Sequence, residues 1–123
     1  MSVTMRRPCP LDIAMEICSE RWTLQILHQL IGGPRRFGEL MANLEGISKR
    51  TLSARLKLLA QRSLVSRTVI PDTTHHVEYS LTELGEKFNA VFEAMTYCGS
   101  CYVKYHMKVS KRIAEPTADS DFA

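Results

Sequence analysis

A chain of 123 residues bounds the protein to one domain with a modest core. No stretch approaches the length of a membrane-spanning helix and no apolar signal core opens the chain. That excludes a membrane protein and predicts a soluble, cytoplasmic one whose four cysteines, Cys9, Cys18, Cys98 and Cys101, sit in a reducing compartment without a static disulfide framework. The net charge of +3 is unevenly spread: between Arg35 and Arg67 eight basic residues stand against Glu39 and Glu45, a local +6, which leaves −3 for the rest. A basic middle between acidic ends is an electrostatic footprint for phosphate.

In chain order, residues 1–7 read as a flexible basic arm ended by Pro8 and Pro10. Leu11, Ala14, Met15 and Cys18 recur at helical spacing and predict a short amphipathic helix from Leu11 to Cys18. Ser19 is placed to cap a second helix, Glu20 to Ile31, with Trp22, Ile26, Leu27 and Leu30 on its buried face, stopped by Gly32-Gly33-Pro34. A third short helix, about Arg36 to Asn43, buries Phe37, Leu40 and Met41. Gly46 then makes a turn, Ile47 anchors it, and Ser48 caps a fourth helix reaching Leu59. Leu64 to Ile70 and His76 to Leu81 are rich in β-branched and aromatic residues, and Pro71-Asp72-Thr73-Thr74 between them is turn chemistry, so a hairpin is predicted over about 64–81. Thr82 caps a long last helix to about residue 108. Its apolar positions Leu84, Phe88, Val91, Met95, Cys98, Tyr102 and Tyr105 alternate spacings of four and three, a heptad seam. The polar residues from 110 to 123 predict a disordered tail, and a single domain is expected over 8–109.

The order of these elements predicts a mainly α fold with a small β-hairpin wing, a winged helix-turn-helix. On the fourth helix Leu52, Leu56 and Leu59 cluster on one side, while Arg50, Ser53, Ala54 and Lys57 lie largely opposite. In helix-turn-helix proteins the N-terminal end of such a helix enters the major groove. Ser48, Lys49, Arg50, Thr51, Ser53, Ala54 and Lys57 are therefore the expected contacts to double-stranded DNA. Arg36 is added from the preceding helix, and Arg67, Thr74, His75 and His76 from the wing. Leu58 falls toward the exposed side without an account. His75 and His76 lack a second ligand pair at metal spacing, so no metal and no cofactor is expected. A seam of seven apolar positions is too long for a small core to cover. It predicts a homodimer through Leu11, Met15, Leu84, Phe88, Val91, Met95, Cys98, Tyr102 and Tyr105, which suits a pseudo-palindromic operator read by two recognition helices.

Several segments resemble the HxlR family of winged helix-turn-helix regulators, relatives of the MarR group. They are Cys9-Pro10, Arg21-Trp22, Gly33-Pro34-Arg35-Arg36-Phe37-Gly38-Glu39-Leu40, Gly46-Ile47-Ser48 with Arg50, Leu52 and Leu56, Leu64-Val65 with Arg67, and Val77-Glu78-Tyr79-Ser80-Leu81-Thr82-Glu83-Leu84-Gly85. The resemblance covers roughly Cys9 to Met95 and implies a homodimeric DNA-binding transcriptional regulator with terminal helices forming the dimer. Ser63 stands where the family commonly has glycine, and the wing tip Asp72-Thr73-Thr74-His75-His76 departs from the family's Pro-rich, basic wing.

Some members of that family sense quinones, aldehydes or oxidants through a cysteine near the N-terminus, and Cys9 occupies the matching position, just after Arg6 and Arg7. Cys98 and Cys101 form a Cys-x-x-Cys on the last helix, with Cys98 on the seam, where an intersubunit disulfide would twist one subunit against the other. The three thiols are the expected redox sensors. A pocket for a small aromatic effector near Trp22, Phe88, Phe92 and Tyr97, and a helix-mediated interaction module without DNA binding, are the competing readings. No phosphate-binding loop, nucleophile motif or metal-ligand set is present in the sequence, so an enzyme is not expected.

Overall fold

The computed structural model describes residues 8–71 and 76–114, with side chains through residue 112. The chain divides into two compact units, Met1–Asn89 and Ala90–Ala123.

In the first unit, α1 (Pro10–Ser19) starts with proline in its first turn, where no N–H is needed and the fixed φ suits a helix. It ends because the Ser19 hydroxyl folds back to donate to the Glu16 carbonyl at 2.9 Å. Ser19 is therefore the last residue of α1, not the cap of the next helix as expected. The second helix, α2 (Thr23–Ile31), begins three residues later than predicted, after a corner made by Glu20, Arg21 and Trp22. Trp22 is its half-buried N-cap at φ 75°, outside the helical face assigned to it. Thr23, fully buried just inside the helix, has an Oγ1 with no hydrogen-bond partner. A buried hydroxyl without a partner costs about 1–3 kcal/mol. Thr23→Val keeps the shape and removes the polar atom, so it is expected to raise the thermal midpoint. A lower midpoint in a thermal melt would count against this account.

Gly33 at φ 130° turns the chain into β1 (Arg35–Arg36), a strand of two residues that no periodicity could reveal. Helix α3 (Phe37–Asn43) follows, its start satisfied by the Arg36 N–H donating to Glu39 Oε1 at 2.8 Å. Gly46 at φ 93° makes the predicted turn into α4 (Lys49–Gln61), which runs two residues past the expected end. The hairpin is present as β2 (Val65–Val69) and β3 (Val77–Leu81), paired antiparallel from Val65↔Leu81 to Val69↔Val77. The sheet has three strands in the order β1-β3-β2, because Arg35 and Arg36 pair with Tyr79 and Glu78. The core lies beneath this sheet, where Ile26, Leu27, Leu40, Leu52, Leu56, Leu59 and Leu64 are all under 2 % exposed. Burying each such side chain contributes about 1.5–3 kcal/mol.

The predicted single last helix is broken. Thr82 does cap a helix, accepting from the Gly85 N–H at 2.9 Å, but that helix, α5 (Glu83–Glu86), is one turn long. The Lys87 and Phe88 N–H groups bond to the carbonyls three residues back, Leu84 and Gly85, which tightens the chain and ends the α-helical ladder. Leu84 and Phe88 thus belong to the first unit, and the predicted seam is not carried by one continuous helix.

In the second unit, α6 (Asn89–Ala114) carries Val91, Met95, Cys98, Tyr102 and Tyr105. It continues through residues 110–114, the start of the expected tail, and Lys111 and Arg112 in its last turn suit the negative end of the helix dipole. Among the described residues no helix is long and apolar enough to cross a membrane.

Candidate nucleic-acid interface

The N-terminal end of α4 is capped by Ser48, whose Oγ accepts from the Thr51 N–H at 3.0 Å and donates to Thr51 Oγ1 at 3.0 Å. Both hydroxyls expected at DNA are thus engaged with each other, and the cap stabilises the helix by about 1 kcal/mol. Lys49, Arg50, Ser53, Ala54 and Lys57 are exposed, with Thr51 half-buried. Leu52, Leu56 and Leu59 anchor the opposite side, as the spacing predicted. Leu58, for which the sequence offered no role, is half-buried on the flank of the helix.

Arg67 is exposed at the centre of β2, directly opposite Tyr79. Ser53, Leu56, Lys57 and Ala60 of α4, with Arg67 and Tyr79, line a hollow of about 300 Å³ between recognition-type helix and wing. The structure therefore brings Ser53, Lys57 and Arg67 to one place, which sequence spacing alone did not show. Tyr79 was missed as part of it; its alternation with Val77 and Leu81 signalled a strand but not which residue would face α4.

Three of the eight basic residues, Arg35, Arg55 and Arg62, are half-buried, and the Arg55 Nε is withdrawn from solvent. Arg62 Nη1 lies 2.9 Å from Glu20 Oε1, and Nη2 donates to Oε2 at 3.4 Å. The Arg35 Nε donates to the Gln29 carbonyl at 3.2 Å. Arg36 is exposed. At the wing, His76 is held through Nε2 against Glu78 Oε2 at 3.3 Å, its side chain 18 % exposed, so its ring is turned to the strand. Thr74 and His75 lie outside the described residues.

Cys9 is the exposed N-cap of α1. Cys98 and Cys101 are exposed on α6, and all four cysteines are free. Burial pushes the Cys18 thiol up. Since the thiolate is the nucleophile, Cys18 is expected to be alkylated by iodoacetamide several-fold more slowly than the exposed thiols, read by mass spectrometry at mild alkaline pH. Equal rates would remove the distinction. Among the described residues no group of three His, Cys, Asp or Glu is placed to hold a metal. Of the expected dimer positions, Leu11, Met15, Leu84, Met95, Tyr102 and Tyr105 are each more than half exposed in the single chain. Phe88 and Val91 are half-buried.

A family model described as HxlR-like helix-turn-helix matches residues 17–107. The chain belongs to the HxlR-like family. Its relatives are transcriptional regulators, and this HxlR-like chain is one of the helix-turn-helix type, not an enzyme. It is 41 % identical over 88 residues to the HTH-type transcriptional regulator YodB of Bacillus subtilis, covering 71 % of this chain and 79 % of YodB. The reduced form of YodB superposes with a TM-score of 0.69 at 39 % identity, covering 74 % of this chain and 90 % of that one. Quinone-bound YodB matches with a TM-score of 0.66 at 35 % identity, over 75 % of this chain and 98 % of that one. Within the HxlR-like frame, Ser63 keeps the turn into the wing at φ 62° without glycine, at a conformational cost of about 1–2 kcal/mol.

Proposed function

We propose that this HxlR-like chain is a homodimeric, sequence-specific DNA-binding regulator that reads the major groove with α4 and grips the backbone with the wing. The observation that carries the reading is the continuous exposed surface of Arg50, Ser53 and Lys57 on α4 with Arg67 across the hollow on β2. Small residues beside cations let a helix approach base edges while the cations reach phosphate. Dimerisation through the exposed apolar positions of α1 and α6 would supply the second half-site reader. The signal proposed is an electrophile or oxidant acting on Cys9, Cys98 and Cys101, supported by their exposure and by the likeness to YodB, which is known in a quinone-bound form. A noncovalent aromatic effector is the alternative reading; Tyr97, one of the aromatics expected to line its pocket, is 71 % exposed.

The test is binding to the DNA upstream of its own gene before and after diamide, a quinone and an aldehyde, with each exposed cysteine replaced in turn. DNA release by the parent that one replacement abolishes is the expected result. Release that persists in every cysteine variant would sink the thiol reading and leave the noncovalent one. Absence of salt-sensitive binding in any state would sink DNA recognition itself.

A further inference from the structure

The Arg21-Trp22 pair is part of the family resemblance, yet neither residue lines the hollow between α4 and the wing. The corner that contains them grips the closing residue of α4 and lies against the turn that leads into it. At one end, Glu20 holds Arg62, the residue that closes α4, through two contacts of 2.9 and 3.4 Å across 42 positions of sequence. Both side chains are largely withdrawn from solvent, 31 % and 20 % exposed. At the other end, the tip of the Trp22 ring, Cη2, lies 4.0 Å from where a Cβ would stand on Gly46, the glycine that turns the chain into α4. Arg21 covers the same ring, its Cζ 5.4 Å from the centroid. Trp22 adopts φ 75°, a conformation that costs a bulky residue and persists only where its surroundings hold it.

We propose that Glu20 and Trp22 are specificity-determining positioning residues that do not contact DNA: from one corner they hold the end of α4 and back the turn leading into it, and so set the angle at which its exposed face meets the bases. The inference rests on α4 being the recognition helix. Base-edge hydrogen bonds need the helix placed to within about half an ångström, whereas phosphates are met by long cationic side chains that tolerate displacement. Loosening the corner therefore costs specific binding and spares non-specific binding. A different outcome follows if Arg62 is merely a masked phosphate contact. Freeing it from Glu20 would then tighten binding to every duplex and steepen the salt dependence by about two counterions per dimer.

The experiment compares the parent, Glu20→Gln, Arg62→Met and the exchanged pair Glu20→Arg with Arg62→Glu. Each is titrated with the upstream DNA of its own gene and with a random duplex of equal length. Trp22 is the single tryptophan, so its emission reports the corner directly. The expected result is about a tenfold loss on specific DNA with less than about a twofold change on random DNA for each single variant. Trp22 emission should shift in both, and the exchanged pair should recover most of the affinity and the parent emission. Equal effects on the two duplexes, tighter binding to both, or an exchanged pair no better than the singles would overturn the inference. A parent that does not discriminate the two duplexes defeats the DNA-recognition reading and this one with it. A parent that discriminates while the variants match it defeats this one alone.

Discussion

Gly85→Ala is expected to destabilise the protein by about 3 kcal/mol or more, a fall in thermal midpoint of about 15 °C for a domain of this size. A Cβ built on Gly85 would overlap the Leu64 carbonyl oxygen and also stand 3.1 Å from the Leu64 carbonyl carbon and 3.2 Å from Leu81 Cδ2. The obstacle is backbone and cannot swing aside. Leu64 is itself held, because its carbonyl accepts from the Thr82 N–H at 3.1 Å and Thr82 Oγ1 donates to the neighbouring Ser63 carbonyl at 2.6 Å. The first turn of α5 is thus seated directly on the joint between α4 and β2, and the added methyl must push the two apart. Gly38→Ala is the control: it sits in α3 with nothing within 4 Å of the new Cβ, and a helix gains up to about 1 kcal/mol from the change. Thermal melts of both decide the matter. A Gly85 variant melting within about 3 °C of the parent would show that the joint yields.

The second large effect concerns binding. Replacing Arg50, Lys57 and Arg67 together by alanine is expected to lower affinity for DNA by about a thousandfold at moderate salt, and to reduce the slope of log affinity against log salt by about five. In the proposed dimer, three cations lost per chain are six phosphate neutralisations, each worth about 0.9 in slope on duplex DNA. All three side chains are exposed, and the apolar residues that hold α4 in place are untouched, so the fold is expected to survive, as circular dichroism would show. A slope reduced by only about two or three would point to a monomer on the DNA. An unchanged slope would place the phosphate contacts elsewhere, the first alternative being the arm ahead of Pro8. Arg62→Met supplies the contrast. It removes a cation from the same basic segment, but one that Glu20 has already neutralised, and so is expected to leave the slope alone.

Much of this was legible in the residues. The spacing of Leu52, Leu56 and Leu59 gave α4 its buried side, Ser48 gave its start, and the hairpin was predicted within a residue at either strand end. What escaped had local physical causes. Ser19 has the chemistry of an N-cap, but its hydroxyl serves the helix behind it. The corner at Trp22 depends on a positive φ that nothing in an aromatic residue advertises. The break between α5 and α6 was hidden because the heptad spacing of apolar residues runs on unbroken across both helices, and the close approach of Gly85 to Leu64 that seats the first is visible only in the fold. For the candidate interface, charge counting pointed to one segment but treated its members alike. Pairing of Arg62 with Glu20 and of Arg35 with the Gln29 carbonyl involves residues far apart in the chain or hidden in a turn, which no net charge reveals.

The two-residue strand β1 has a bearing on how the molecule behaves at high concentration. By pairing with Tyr79 and Glu78 it covers part of the far side of β3, so the margin on that side is a strand of only two residues and the long open margin is on the other side. That margin is β2, whose run from Val65 to Val69 would be a ready template for another chain's strand if it were uncharged. Arg67 stands at its midpoint. The side chain proposed to reach phosphate is thus also the one that discourages strand addition, and neutralising it risks adding a loss of solubility to any loss of DNA affinity.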